Sequence, residues 1–311
     1  MSKTRVICFA NNKGGSGKST TCSNVGYFMA EAGKKVLLID GDMQLNLSLA
    51  FFDEERVLEI AGGEKNLYQA IRKQADLTGY TFRTDYENLD IIPSSTLMSA
   101  IEFELFSKWQ REYILKKSLE KLKNSGSYDY ILIDSPPTLG GWVMNILAAS
   151  DYLVIPVEAS PWGLFGLSNM FEFLSDVKEV APDLTVAGIA VTKVDGRKNY
   201  FKQTMETLKQ LPARVFETFI HLDSNIEWAQ DNSKPVGKYR RSSRSSKEYL
   251  ALSEEVLKVC RSETQASRAP RAPSARRVKR AKRRPLPPTV RSSNWKFQKS
   301  SSKGLRATSP N

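Results

Sequence analysis

Two lysines and a serine stand on a glycine-rich stretch near the start of this 311-residue chain. The stretch reads Asn11-Asn12-Lys13-Gly14-Gly15-Ser16-Gly17-Lys18-Ser19-Thr20. Glycines let backbone N–H groups turn toward phosphate oxygens at the N-terminus of a helix. A lysine and a serine that open that helix can contact the β- and γ-phosphates and Mg²⁺, respectively. We therefore expect this stretch to bind the phosphates of a nucleotide, with Lys18 on the β/γ-phosphates and Ser19 on the metal.

The elements around the stretch agree with this interpretation. The apolar run Val6-Ile7-Cys8-Phe9-Ala10 predicts a buried strand before it, and residues 18–31 predict a helix after it. An ordinary glycine-rich turn does not need strand, loop, Lys-Ser and helix in register. Two more apolar runs end in aspartate: residues 36–40 end at Asp40, with Asp42 two positions later, and residues 130–134 end at Asp134. Ligands bind at the carboxyl ends of strands in open α/β sheets, so these carboxylates are expected beside the phosphates.

The motifs resemble those of a known family. The strict pattern G-x-x-x-x-G-K-[ST] is not met, because position 12 is Asn. The form K-G-G-x-G-K-[ST], with the additional Lys13, resembles the deviant Walker A loop of the ParA/MinD superfamily. The D-x-D-x-Q segment from Asp40 and the I-D-x-P-P segment around Asp134 resemble the Walker A′ and Walker B elements of ParA/Soj-type partition ATPases. Further similar segments, such as N-L-D-x-I-P-S at 88–94, extend the resemblance to about residue 258.

The resemblance implies roles for individual residues. Asp134 holds Mg²⁺ through water, Asp40 lies beside the metal, and Asp42 orients the attacking water. Lys13 reaches across a dimer to the partner's phosphates. ATP and Mg²⁺ are the implied cofactors, and hydrolysis of ATP to ADP and phosphate is the implied reaction. The implied partners are a second copy of the chain, non-specific DNA, and a ParB-like DNA-binding protein that stimulates hydrolysis.

The pattern of apolar runs predicts the fold class. Apolar strands near 5–10, 36–40, 89–92, 130–134, 152–157, 186–192 and 215–219 alternate with helical stretches such as 67–73, 109–123, 163–178 and 200–210. This alternation predicts an α/β protein with a doubly wound, mainly parallel sheet and helices on both faces, and the resemblance makes it a P-loop NTPase. We expect one ATPase domain over residues 1–260. No signal peptide or membrane span is visible, so we expect a cytoplasmic, nucleoid-associated protein with no membrane partner.

The positive charge is concentrated in residues 261–311. The chain has a net charge of +12, whereas this tail holds 15 Lys and Arg and one acidic residue, a net of +14, which leaves −2 for residues 1–260. Because the tail has few large apolar residues, we expect it to be disordered. Its densest run includes Arg276, Arg277, Lys279 and Arg280, and such a run attracts a polyanion such as DNA or RNA. A solvated tail with no partner and an anionic membrane are the alternatives.

A second basic cluster lies inside the domain, between Lys234 and Lys247, before a predicted final helix at 246–258. In ParA-type dimers, basic residues near this end form a DNA-binding face, so the resemblance makes Arg197, Lys238, Arg240 and Arg241 candidates for DNA contacts. The single histidine, His221, follows the predicted strand at 215–219. It excludes His-rich metal chemistry and an ordinary serine triad, and we interpret it as a polar loop residue.

Three function classes are compatible with the loop. The first is a DNA-partitioning ATPase for plasmids or chromosomes, and the second is a MinD-like or cargo-positioning ATPase that acts on a membrane or a protein cluster. The third is an electron-transfer protein like the nitrogenase iron protein, which needs cysteines for an iron–sulfur cluster. Cys8, Cys22 and Cys260 do not match such a pair. Asn12, the interior basic cluster and a Pro-rich tail without an apolar face favour DNA partitioning.

Overall fold

The computed structural model describes residues 4–195 and 200–261. In these ranges seven strands form one sheet in the order β3-β4-β2-β5-β1-β6-β7. The strands are β1 (Arg5–Phe9), β2 (Val36–Asp40), β3 (Phe82–Arg83), β4 (Leu89–Ile92), β5 (Tyr130–Asp134), β6 (Tyr152–Glu158) and β7 (Thr185–Thr192). All neighbouring strands are parallel except β3 and β4, which are antiparallel. The prediction of a doubly wound, mainly parallel sheet is confirmed.

Helices cover both faces of the sheet. They are α1 (Lys18–Glu31), α2 (Asn46–Leu49), α3 (Glu54–Gly62), α4 (Leu67–Arg72), α5 (Ile101–Phe106), α6 (Ile114–Ser125), α7 (Gly141–Ala149), α8 (Pro161–Val180), α9 (Tyr200–Leu208), α10 (Ser224–Asp231), α11 (Val236–Tyr239) and α12 (Arg244–Arg261). Alternate residues of β1 enter two separate cores: Val6 and Cys8 pack on one face, and Ile7 and Phe9 on the other. A parallel strand buried on both faces is apolar throughout, which is why β1 was recognisable from its sequence.

The strand register brings the aspartates together. Phe9 at the end of β1 lies opposite Asp134 at the end of β5, and Asp40 at the end of β2 lies opposite Asp134 on its other side. The three strands therefore end at the same level. The loop after β1 and the two acidic strand ends share one edge of the sheet, as expected for a ligand site in this class of fold.

The predicted strand at 215–219 is wrong. Val215 forms an isolated parallel bridge with Ile189, and the next isolated bridge comes only at His221. The N–H groups of Glu217 and Thr218 donate instead to the carboxylate of Glu255 on α12, each at 2.8 Å. A side chain thus takes the hydrogen bonds that a neighbouring strand would otherwise receive.

The chain ends of the predicted domain are only partly described. Helix α12 continues to Arg261, so the predicted final helix is confirmed, with a start two residues earlier and an end three residues later. The rest of the basic tail lies outside the described residues, and both its disorder and the domain boundary at 260 stay predictions. None of the helices in the described ranges is long and apolar enough to cross a bilayer.

Candidate nucleotide-binding site

The loop between β1 and α1 turns at two glycines. Gly15 and Gly17 have φ angles of 73° and 83°, which residues with side chains rarely adopt. Helix α1 begins directly after Gly17, and the first N–H groups of a helix have no partner within it. Thr192 at the end of β7 donates its hydroxyl to the Ser16 carbonyl at 2.9 Å and supports the loop from the other side. The loop therefore presents a helix N-terminus in a fixed position, which favours an anion.

Lys18 is the buried cation of the site. Its Nζ donates to the Lys13 carbonyl at 3.3 Å, so the side chain folds back along the loop. Burial lowers the pKa of Lys18, and the nearby carboxylates of Asp134 and Asp42 oppose that shift. A buried ammonium between two carboxylates and a helix N-terminus is placed to neutralise phosphate charge.

Asp40 and Asp42 differ in how their oxygens are used. Asp40 is fully buried, and its carboxylate accepts the Ser48 N–H at 2.8 Å, the Ser48 hydroxyl at 2.6 Å and the Asp42 N–H at 3.2 Å. Burial raises the pKa of Asp40 to about 6 in spite of these hydrogen bonds. Asp42 accepts only the Gln44 N–H, at 3.1 Å on Oδ1, from the described residues. Asp40 thus shapes the turn that presents Asp42 to the cavity.

Asp134 is the residue that fits a cation. It is fully buried, yet neither carboxylate oxygen accepts a hydrogen bond from any described residue. Burial, and then the charge of Asp40, raise the pKa of Asp134 well above its ordinary value, whereas the nearby Ser19 hydroxyl and Lys18 lower it. Since Ser19 makes no hydrogen bond with these oxygens, the carboxylate is left with an uncompensated desolvation cost. A divalent cation between Asp134 and Ser19 would remove that cost.

Mg²⁺ is the metal that these residues suit. It is usually held by one or two carboxylates, several waters and substrate phosphates, and not by a cage of protein ligands. In the described ranges no three Asp, Glu, His or Cys side chains converge to hold a metal by themselves. A cation here therefore depends on phosphate oxygens, and the residues fit a Mg²⁺–nucleotide complex.

Lys13 is paired within its own chain. Its Nζ forms an ion pair with Glu158 at the end of β6 and lies 3.2 Å from the hydroxyl of Ser160, which caps α8. Both side chains of the ion pair are mostly buried. The role of Lys13 across a dimer stays a prediction, and that role requires this lysine to leave Glu158.

The loop forms one end of a cavity of about 420 Å³, within the usual size of ligand pockets. The lining residues at that end are Gly14, Gly15, Gly17, Lys18, Ser19, Thr20 and Asp42, and the opposite wall contains Ile220, His221, Leu222, Asp223, Ile226, Glu227, Gln230 and Tyr249. The sequence motifs predicted the first set and missed the second, because residues 220–230 reach the cavity only through the tertiary fold. The interpretation of His221 as an ordinary loop residue is corrected, since it lies in the cavity wall.

The basic candidates inside the domain are exposed. Lys238 is on α11, and Arg240 and Arg241 follow it directly. Arg241 is paired with Glu31 and lies over the ring of Phe28, with 5.2 Å between guanidinium and ring centre. The remaining candidates lie outside the described residues: Arg197, Arg276, Arg277, Lys279 and Arg280.

Comparison with known proteins places this geometry in a family. The AAA domain family matches residues 4–186, more than half of the chain. The sporulation initiation inhibitor protein Soj of Bacillus subtilis strain 168 is 37% identical over 254 residues, which cover 81% of this chain and 98% of Soj.

Two solved structures have the same fold. A plasmid partition protein from Borrelia burgdorferi has a TM-score of 0.65 and 27% identity, over 82% of this chain and 99% of that one. Cobyrinic acid a,c-diamide synthase from Mycobacterium smegmatis, solved with a bound ATP analogue and magnesium, has a TM-score of 0.70 and 27% identity, over 84% of this chain and 96% of the synthase. Together with the loop and the paired strand ends, these similarities show that the chain belongs to the ParA/Soj family of P-loop ATPases with a deviant Walker A loop.

Proposed function

We propose that this chain is a DNA-partitioning ATPase that binds ATP with Mg²⁺, hydrolyses it to ADP and phosphate, and acts on DNA as an ATP-dependent homodimer. The observation that carries the proposal is the buried, unpartnered carboxylate of Asp134 beside a loop with two lysines, Lys13 and Lys18. The similarity to Soj supports partitioning as the process. The ATP analogue and magnesium in the related synthase structure support the ligands.

The chemistry follows from the placement of the side chains. The loop from Gly14 to Thr20 holds the triphosphate through its N–H groups, with the Lys18 ammonium on the β/γ-phosphates. Mg²⁺, held by Ser19 and through water by Asp134, supplies positive charge against the phosphate oxygens. Asp42 orients the attacking water through Oδ2, since its Oδ1 is bound to the Gln44 N–H. Burial of Asp42 excludes competing bulk water from this carboxylate.

Lys13 has two positions in the proposed cycle. In the single chain its ammonium is paired with Glu158. In the ATP-bound dimer it leaves Glu158 and contacts the phosphates bound by the partner subunit, where a second cation stabilises the transition state as an arginine finger does. Dimerisation and catalysis are then linked through a single side chain.

DNA binding is proposed for two basic regions. Lys238, Arg240 and Arg241 are exposed on the domain, and dimerisation doubles their number on the assembly. Arg197 and the basic run of the tail add further positive charge, which drives binding without sequence preference because counterions are released from DNA. A ParB-like DNA-binding protein is the proposed partner that stimulates hydrolysis, and the proposed location is the nucleoid.

The test compares three lysine substitutions. Lys18→Ala is expected to abolish ATP binding, because it removes the main cation on the β/γ-phosphates. Lys13→Ala is expected to retain much of the ATP binding but to lose the dimer, because its role is in trans. Lys209→Ala, at an exposed position on α9, is the matched control. Calorimetry measures ATP binding, and analytical ultracentrifugation with a non-hydrolysable ATP analogue measures the dimer. A Lys13→Ala protein that dimerises like the control contradicts the proposed role in trans.

A further inference from the structure

The wall of the cavity opposite the phosphate loop contains the single histidine of the chain. His221 follows Ile220, and both are attached to the end of β7. The Val194 N–H donates to the Ile220 carbonyl at 3.0 Å, and the Leu222 N–H donates to the Val194 carbonyl at 3.1 Å. Since Thr192, two residues before Val194, supports Ser16 of the phosphate loop, the histidine and the loop are fixed to the same strand end.

The orientation of the His221 ring is set by one carboxylate. Glu248 on α12 accepts the His221 backbone N–H at 2.9 Å with one oxygen and contacts ring Nδ1 at 2.7 Å with the other. Arg244 donates its Nε–H to Glu248 at 2.7 Å, so the carboxylate is charged and held in place. A charged carboxylate only accepts hydrogen bonds, and therefore Nδ1 carries the proton.

The other ring nitrogen has no partner. No described residue forms a hydrogen bond with Nε2 of His221, and in the neutral ring with Nδ1 protonated, Nε2 is an acceptor. Other polar side chains on this wall are engaged within the fold: Gln230 donates to the Thr20 hydroxyl at 3.0 Å, and Asp223 accepts the N–H groups of Asn225 and Ser245. His221 therefore offers an oriented acceptor to the cavity end that is remote from Lys18.

We propose that His221 contacts the nucleoside part of the bound nucleotide, with Nε2 accepting a hydrogen bond from an N–H or O–H group of the base or the ribose. Glu248 is the positioning residue that selects the tautomer and holds the ring. Ile220, Leu222 and Ile226 on the same wall supply apolar surface for a flat base. This inference rests on the proposed binding of ATP and adds a residue that recognises the nucleoside.

The test separates the nucleoside from the phosphates. We expect His221→Ala to weaken binding of Mg²⁺–ATP about tenfold, the loss typical of one hydrogen bond, and to leave binding of Mg²⁺–tripolyphosphate unchanged. His221→Gln can place an amide oxygen near the position of Nε2 and is expected to recover part of the affinity. Competition against a fluorescent ATP analogue measures both ligands, and thermal melting verifies that the variants are folded. Equal losses for both ligands, or a loss of ATP affinity below about twofold, overturn the inference.

The positioning role of Glu248 has its own control. Glu248→Gln removes the charge that keeps the proton on Nδ1, so we expect weaker ATP binding with unchanged tripolyphosphate binding. Glu254→Gln makes the same chemical change at an exposed position on α12 that does not line the cavity. If the two glutamine variants bind ATP equally, Glu248 does not position His221. If the unaltered chain binds tripolyphosphate but not ATP, the inference about His221 fails alone; if it binds neither, the proposed function itself fails.

Discussion

Gly237 is the position where one added methyl group should be felt most clearly. A Cβ at Gly237 would lie 2.5 Å from Cζ of Phe28 and 2.8 Å from Cε1 of Tyr27, whereas carbon atoms prefer separations of about 3.5–4.0 Å. The two rings cannot yield easily, because both are buried and Tyr27 also packs edge to face against Tyr86 with ring centres 5.3 Å apart. The short helix α11 must therefore move away from α1 by about 1 Å.

That movement has a calculable cost. Overpacking of a core typically costs about 1–3 kcal/mol. It also strains the buried hydrogen bond of 2.8 Å from the Val236 N–H to Oδ1 of Asn24, which contributes about 1 kcal/mol. We expect Gly237→Ala to lower the free energy of unfolding by about 2–3 kcal/mol and the melting temperature by about 5–10 °C.

The assay is urea denaturation followed by tryptophan fluorescence, with Gly79→Ala as the control. Gly79 has the same change available to it, but a Cβ there meets no atom within 4 Å. The control should unfold like the unaltered protein. A Gly237→Ala protein within about 0.5 kcal/mol of the control would show that α11 is not held against α1 by this contact.

Three further predictions concern catalysis, DNA and pH. Asp42→Ala should lower the rate of phosphate release by about 10² or more while the ATP-bound dimer still forms; near-normal turnover would assign the water-orienting role elsewhere. Truncation after Cys260 should remove nucleotide-independent DNA binding and reduce the slope of log K against log[salt] by about 0.9 per lost phosphate contact, as measured by fluorescence anisotropy on a random duplex; an unchanged slope would make the tail inert. Burial alone raises the pKa of Asp223, but hydrogen bonds from Asn225 and Ser245 outweigh it and lower the pKa to about 2. The ionised form therefore stabilises the fold above about pH 4 and loses this effect as the pH falls toward 2, so Asp223→Asn should be up to about 2 kcal/mol less stable at neutral pH and equal to the unaltered protein near pH 2 in denaturation curves.

The phosphate end of the site could be predicted because its signals are local. Glycines, Lys18 and Ser19 follow an apolar strand directly, and the strands that end at Asp40 and Asp134 are short, apolar and buried on both faces. The general rule for ligand sites in α/β sheets then places all of them at one edge. The same locality explains why the bounds of α1 were predicted without error.

The rest depends on contacts between distant segments. The apolar run at 215–219 has the composition of a strand, but Glu255, about forty residues later, takes its hydrogen bonds. His221 has no motif around it, and its place in the cavity follows from Val194 and Glu248, which lie 27 positions away from it on either side. Strand β3 has only two residues, too few for any period to be visible.

The central position of β1 has a consequence for synthesis of the chain. This strand is made first, yet its neighbours β5 and β6 are completed only at residues 134 and 158. At about 5–20 residues per second, the growing chain carries an unpaired apolar strand for roughly 10–30 s. The phosphate loop is not fixed on both sides until β6 has left the ribosome, so a nascent chain cannot recognise nucleotide earlier. During that interval the two open edges of β1 are a surface for chaperones or for aggregation.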